Sequence, residues 1–187
     1  MNLFRPNSNS IRIVEFKDHH YARSSINNES YSTKDIPLAI FHLTEEGPSV
    51  LYRDFEELTG SDLDKQDLTR KINNLAANLI AATGSGHTYS EGCFDVKLDN
   101  TSKFRLFVIA IRRPNINYSD PRIKIGYFHV VLFIPLELAL TLPSISKMEN
   151  DLYDTVLSDM KDSSDFEPNK IKKLKSKLIQ KIIKYSN

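Results

Sequence analysis

A single cysteine, Cys93, rules out an internal disulfide framework and any zinc site built on a cysteine cluster. Charge of one sign is missing as well. Twenty-five Lys and Arg against 24 Asp and Glu leave a net +1, which is no overall footprint of a polyanion binder. No apolar run approaches the roughly 18–20 residues that a helix needs to cross a bilayer. The opening Met1-Asn2-Leu3-Phe4-Arg5-Pro6-Asn7 lacks the apolar centre of a secretory signal. Five histidines contain neither a His-x-x-x-His nor a His-Glu-x-x-His spacing. These absences lead us to expect a soluble chain in a reducing, cytoplasmic compartment, with no metal and no cofactor.

What is present is globular in kind: 187 residues, 40% apolar, 10% aromatic and 26% charged, enough for one domain of ordinary size. Residues 1–35 read as an N-terminal extension. A run at 11–16 has strand-like content, and the Ser-, Asn- and His-rich stretch from 18 to 35 reads as a linker. The ordered domain is expected over 36–187.

The apolar run 38–43 and the partly alternating run 49–55 flank Glu45-Glu46-Gly47-Pro48, which predicts a hairpin with Gly47 at positive φ. A helix follows, capped by Asp62 or Asp64. Leu68, Ile72, Leu75, Ala76, Leu79 and Ile80 form its apolar face, and Gly84 and Gly86 stop it. Residues 93–98 alternate, and Asp99 to Ser102 make a turn. The stretches 104–111 and 125–134 are too apolar for a sheet with one wet face, so both are expected as central strands covered on two sides. Residues 112–122 between them read as a long exposed loop. Two helices close the chain, over 146–160 and from Pro168 onward, where a proline in the first turn loses no hydrogen bond. The expectation is an α+β fold: a five-stranded, mainly antiparallel sheet in the order β-β-α-β-β-β-α-α with helices on both faces.

Chemistry candidates are few. His19-His20 are neighbours whose side chains point apart, which does not suit a shared metal. His42 and His129 fall in strands beside apolar residues and read as packed sheet histidines. Gly84-Ser85-Gly86-His87-Thr88 resembles a phosphate loop, but it follows a helix, whose C-terminus repels anions. Acidic Glu91 and Asp95 near Cys93 are expected to raise its pKa and oppose nucleophilic use. Asn-x-Ser patterns at Asn28, Asn100 and Asn117 are read as chance.

Charge patterning says more. Asp151, Asp154, Asp159, Asp162 and Asp165 precede a final stretch that has seven lysines and no acid. At 100° per residue, Lys170, Lys173, Lys177, Lys181 and Lys184 share one arc beside the stripe Ile171, Leu174, Leu178 and Ile182. Either this is the solvated face of a packed helix balanced by the acidic helix before it, or it contacts anionic lipid. An acidic protein partner is a further reading, and nucleic acid ranks last because no aromatic platform accompanies the lysines. Ile179 and Ile183 widen the apolar arc. With an unpaired sheet edge, they predict a homo- or heterodimer. Arg112, Arg113 and Tyr118 join the five lysines as candidate partner-surface residues.

The order of elements over about 36–185 resembles the longin-like family, carried by the opening hairpin from Ile40 to Phe55, the helix ending at Thr83, the three-strand meander and the helical C-terminus. Roadblock domains, which are related, place a helix before the first strand. Ser24-Ser25-Ile26-Asn27-Asn28-Glu29-Ser30 is a poor helix, so longin is the better fit. The resemblance implies a non-enzymatic binding module: a scaffold or regulatory subunit in small-GTPase regulation or membrane trafficking. Its implied partner is a small GTPase or another longin or roadblock domain, with peripheral contact to an anionic membrane as an option. Membrane-fusion members continue into a heptad segment and an anchor, and this sequence stops at Asn187 with neither. A rival from another class is a small-molecule sensor with a pocket between sheet and helices.

Overall fold

The computed structural model describes residues 31–32, 35–55, 62–83, 91–97, 104–114 and 118–186, with side chains from Arg70 onward in the first helix. The run 11–16, most of the 18–35 linker, His19-His20, residues 84–88, the turn at 99–102 and the three Asn-x-Ser patterns lie outside the described residues, as does the capping of the first helix.

Five strands, β1 (Leu38–Thr44), β2 (Gly47–Arg53), β3 (Gly92–Lys97), β4 (Phe104–Arg112) and β5 (Tyr127–Pro135), form one sheet in the spatial order β2-β1-β5-β4-β3. Every neighbouring pair is antiparallel. Helix α1 (Asp62–Thr83) follows β2. Single-turn helices α2 (Pro121–Lys124) and α3 (Leu136–Ala139) flank β5, and α4 (Ile145–Asp159) and α5 (Pro168–Ser186) end the chain, joined through a 3-10 turn at Ser163–Asp165.

Period-two alternation sorts the sheet residues into two cores. Ala39, Phe41, Leu106, Val108, Val131 and Phe133 face α1, which buries Ile72, Leu75, Ala76 and Leu79 against them. Leu38, Ile40, Phe107, Ile109, Val130 and Leu132 face the other way, onto Met148, Leu152 and Val156 of α4 and the Ile171, Leu174, Leu178 and Ile182 stripe of α5. Leu106 through Ile111 are all at 0% exposure, as expected of a strand covered on both faces. The α+β expectation, with helices on both faces, therefore holds.

Three local expectations are corrected. The 112–122 stretch is no uniformly exposed loop: Arg112 ends β4, Arg113 is half-buried and α2 begins within the stretch. β5 starts at Tyr127, because Gly126 sits in a turn at φ +66 that closes α2 onto Arg113. Ile179 is not available to a partner. It is 1% exposed and belongs to the core, while Ile183 is half-buried and packs against that core.

Among the described residues β2 and β3 are the outer strands of the sheet, and both edges are blunted. On β2, Pro48 has no N–H to donate. The pairing shifts register at Ile40/Phe41, leaving Leu51 without a Cα partner on β1. On β3, the Cys93 N–H is taken by the Glu149 carboxylate of α4 at 3.3 Å.

Candidate interaction surface

α4 and α5 pack side by side, and the lysine arc of α5 lies along their junction. Lys177 Nζ stands 2.7 Å from Asp159 and Lys181 Nζ 2.8 Å from Asp151, while Lys170 Nζ reaches Asp165 of the 3-10 turn at 2.6 Å. Asp151 also accepts the Tyr185 hydroxyl at 3.2 Å, and its pKa is held down by Lys181. Asp165 is pushed down to about 2 by Lys170 and by the backbone N–H groups of Asp162 and Lys161. Of the five arc lysines, Lys173 and Lys184 are exposed and make no ion pair among the described residues. α5 is thus packed on the sheet, with two of its arc lysines paired to carboxylates of α4 and a third to the 3-10 turn.

An open groove of about 550 Å³ follows this seam, lined among others by Asp151, Asp154, Thr155, Ser158, Lys177 and Lys181. Its two hydroxyls turn onto the backbone of α4: Thr155 donates to the Asp151 carbonyl at 2.6 Å and Ser158 to the Thr155 carbonyl at 3.0 Å. The arrangement is an acid–base junction between helices. Because these pairs are largely solvent-exposed, each is worth about 0.2–1 kcal/mol. Lys177→Glu and Lys181→Glu should therefore each lower stability by about 1 kcal/mol or less, with the loss shrinking in high salt, while Lys173→Glu should be silent. Urea midpoints for the three variants at low and high salt read this directly.

The remaining surface candidates divide. Arg112 is committed to Glu91, which accepts its backbone N–H at 2.9 Å, its Nε at 2.6 Å and the Tyr153 hydroxyl at 3.4 Å. Burial alone would raise the Glu91 pKa, but Arg112 outweighs burial and lowers it. Arg113 turns onto the end of α4. Its guanidinium donates to the Met160 carbonyl and, at 3.2 Å, to the Leu157 carbonyl. Those carbonyls lack partners within the helix, and a cation suits the negative end of its dipole. Tyr118, the third loop candidate, is 39% exposed.

The interior titratable groups are quiet. His42 is half-buried with its ring 5.9 Å from that of Phe128, and burial lowers its pKa. His129 has no solvent exposure, lies beside the Tyr127 ring, and is pushed down to about 4 by burial. Cys93 is pushed up to about 12, first by burial and then by Glu149 rather than by the expected Glu91 and Asp95. Its thiol should therefore resist an aromatic disulfide reagent at pH 8 in the folded chain and react at once in denaturant. Fast labelling of native protein would contradict this placement. Among the described residues no His, Cys, Asp and Glu side chains group into a metal-binding set, and no helix is long and apolar enough to cross a membrane.

Sequence reading missed one contact. Lys175 is 9% exposed, on the inward side of α5, with Nζ 2.6 Å from Asp54 just after β2. The signal was there: at 100° per residue Lys175 falls inside the apolar arc, between Ile179 and Ile182.

Compared with known proteins, the chain matches no family model, no curated protein and no solved structure. Four large apolar side chains remain open on its described surface: Leu51 on β2, Tyr118, and Leu136 and Leu140, the last at 64% exposure. Leu136 and Leu140 lie one helical turn apart, at and just beyond α3, and form an apolar corner at the end of β5.

Proposed function

We propose that this chain is a longin-like, non-enzymatic protein-interaction module, a scaffold or regulatory subunit acting on small GTPases or in membrane trafficking. The observation that carries the reading is the arrangement of its elements: a β1–β2 hairpin and a β3–β4–β5 meander joined through β1 and β5, with α1 packed on one face and α4 and α5 on the other. The order of these strands and long helices along the chain is the one on which the resemblance rests. The step from fold to partner is one of analogy.

The partner in this reading is a small GTPase or a second longin or roadblock domain, bound as a homo- or heterodimer. Because Pro48, the β2 bulge and Glu149 blunt the sheet edges, the contact is expected to use side chains on helix and loop surfaces rather than added strands. Contact with an anionic membrane would fall to Lys173 and Lys184, which is too few charges for stable attachment at about 1 kcal/mol each.

The test uses the purified chain with a panel of small GTPases, each loaded with GDP or with a non-hydrolysable GTP analogue. Binding is read by light scattering, and nucleotide exchange and hydrolysis are timed. A complex that prefers one nucleotide state, or a changed exchange or hydrolysis rate, supports the proposal. A monomer that binds none of them and alters no rate would remove it.

A further inference from the structure

α5 carries seven lysines, and one of them points inward. Lys175 Nζ meets Asp54 Oδ2 at 2.6 Å. Asp54 is itself fixed: its Oδ1 accepts the Leu38 N–H at 2.6 Å, and its own N–H donates to the Leu38 carbonyl at 3.2 Å. The pair therefore ties α5 to the place where β2 leaves the sheet and β1 enters it. Around Lys175 on the helix, Leu174, Leu178 and Ile179 are buried.

A buried ion pair is a poor source of net stability, because desolvating both charges offsets most of their attraction. It is, however, sensitive to placement. Consider α5 moved by one turn, so that each site is taken by the residue four positions later. Leu178 then replaces Leu174, Ile179 replaces Lys175, Ile182 replaces Leu178 and Ile183 replaces Ile179, all apolar. Lys181 arrives at the place of Lys177 and still faces Asp159. The displaced first turn joins the connection before the helix, so no chain is lacking. The end of the helix opposes the move, because Ser186 would enter the site of Ile182, which is 0% exposed, and Tyr185 would stand where Lys181 now meets Asp151. Two further things oppose it near the Asp54 contact. Asp54 would lose its cation, and Lys175 would enter the site of Ile171, which is 1% exposed.

We propose that the Lys175–Asp54 pair sets the register of α5 on the sheet, excluding a one-turn slip that the wide apolar arc of the helix otherwise permits, and adds little net stability. In this role Lys175 and Asp54 are positioning residues.

The test places spin labels at Glu45→Cys, in the β1–β2 turn, and Lys184→Cys, on α5, leaving buried Cys93 unlabelled. The parent should give one distance. Lys175→Met should add a second population displaced by up to about 6 Å, four residues at 1.5 Å rise each, with a urea midpoint below the parent's because Asp54 keeps its charge without a cation. Asp54→Asn/Lys175→Met should show the same second population at a midpoint close to the parent's. Lys175→Arg, which keeps the cation and leaves the Asp54–Leu38 hydrogen bond in place, should give a single distance. The parent distance alone in both Lys175→Met and Asp54→Asn/Lys175→Met overturns the proposal. So does a Lys175→Arg chain that shows two populations, or a double variant that fails to fold.

Discussion

Gly126→Ala should be among the most damaging single substitutions in this chain, costing about 3 kcal/mol or more. Two independent effects add. The residue sits at φ +66, where a side chain is disfavoured, and a Cβ built there would lie 1.8 Å from the Arg113 carbonyl oxygen and 2.5 Å from its carbon. Both obstacles are backbone, so neither can rotate away. Arg113 cannot retreat without cost either, because its N–H donates to the Gly126 carbonyl at 2.7 Å and its guanidinium caps α4. A domain with about 5–15 kcal/mol of total stability loses a large share.

Gly47→Ala is the control. It also has positive φ, +116, but its Cβ would meet nothing within 4 Å. Backbone strain alone then costs on the order of 1–3 kcal/mol, less than the strain and collision combined. Urea midpoints give the comparison, and amide exchange in the last turn of α4 should quicken in Gly126→Ala alone. Equal losses in the two variants would show that the Arg113 contact does not limit the site.

The second large effect is on acid stability. His129 is at 0% exposure, opposite Phe41 of β1 and Ala110 of β4 in the ladder. Burial holds its pKa at about 4, against 6.5 when unfolded. Between those two values the unfolded chain binds a proton that the folded chain refuses, so stability must fall as pH drops. The loss begins near pH 6.5 and levels off below about 4, reaching about 3 kcal/mol at roughly 1.36 kcal/mol per pKa unit. His42, also depressed by burial, acts in the same direction.

The carboxylates work in a lower window. Asp165 and Asp151, both depressed, stabilise above their unfolded pKa and lose that contribution only as pH falls further. His129→Leu should therefore flatten the upper part of the profile and leave the lower part intact. Stabilities measured by urea at half-unit steps from pH 7 to 3 separate the two. An unchanged slope between 6.5 and 4 in His129→Leu would assign the acid loss to other groups.

Much of the fold was legible because it rests on periodicity. The runs 104–111 and 125–134 are apolar without alternation, and only a strand covered on both faces uses such residues. Ile72, Leu75, Ala76 and Leu79 recur at helical spacing and face the sheet. The lysine arc of α5 was legible too, together with its acidic counterweight on α4. What could not be read was which lysine meets which carboxylate, since that depends on where two helices cross.

Arg112 and Arg113 show the limit most clearly. In sequence they are two cations opening a loop rich in Pro, Asn and Ser, and they suggest a surface for a partner. In the folded chain one is held by Glu91 and the other closes the end of a helix 44 residues further on. Ile179 shows the converse: it looks surplus to one packing face, yet α5 buries it.

The sequence by itself determined the five strands and three long helices, their order and which face of each is apolar, because hydrophobic spacing and turn chemistry act over a few residues. The single-turn helices α2 and α3 are too short to show such a period. Tertiary structure alone decided the strand order, the blunted edges, the Arg113 cap and the Lys175–Asp54 contact. Each of these joins groups far apart in the chain, and their meeting depends on how whole elements pack rather than on any local preference.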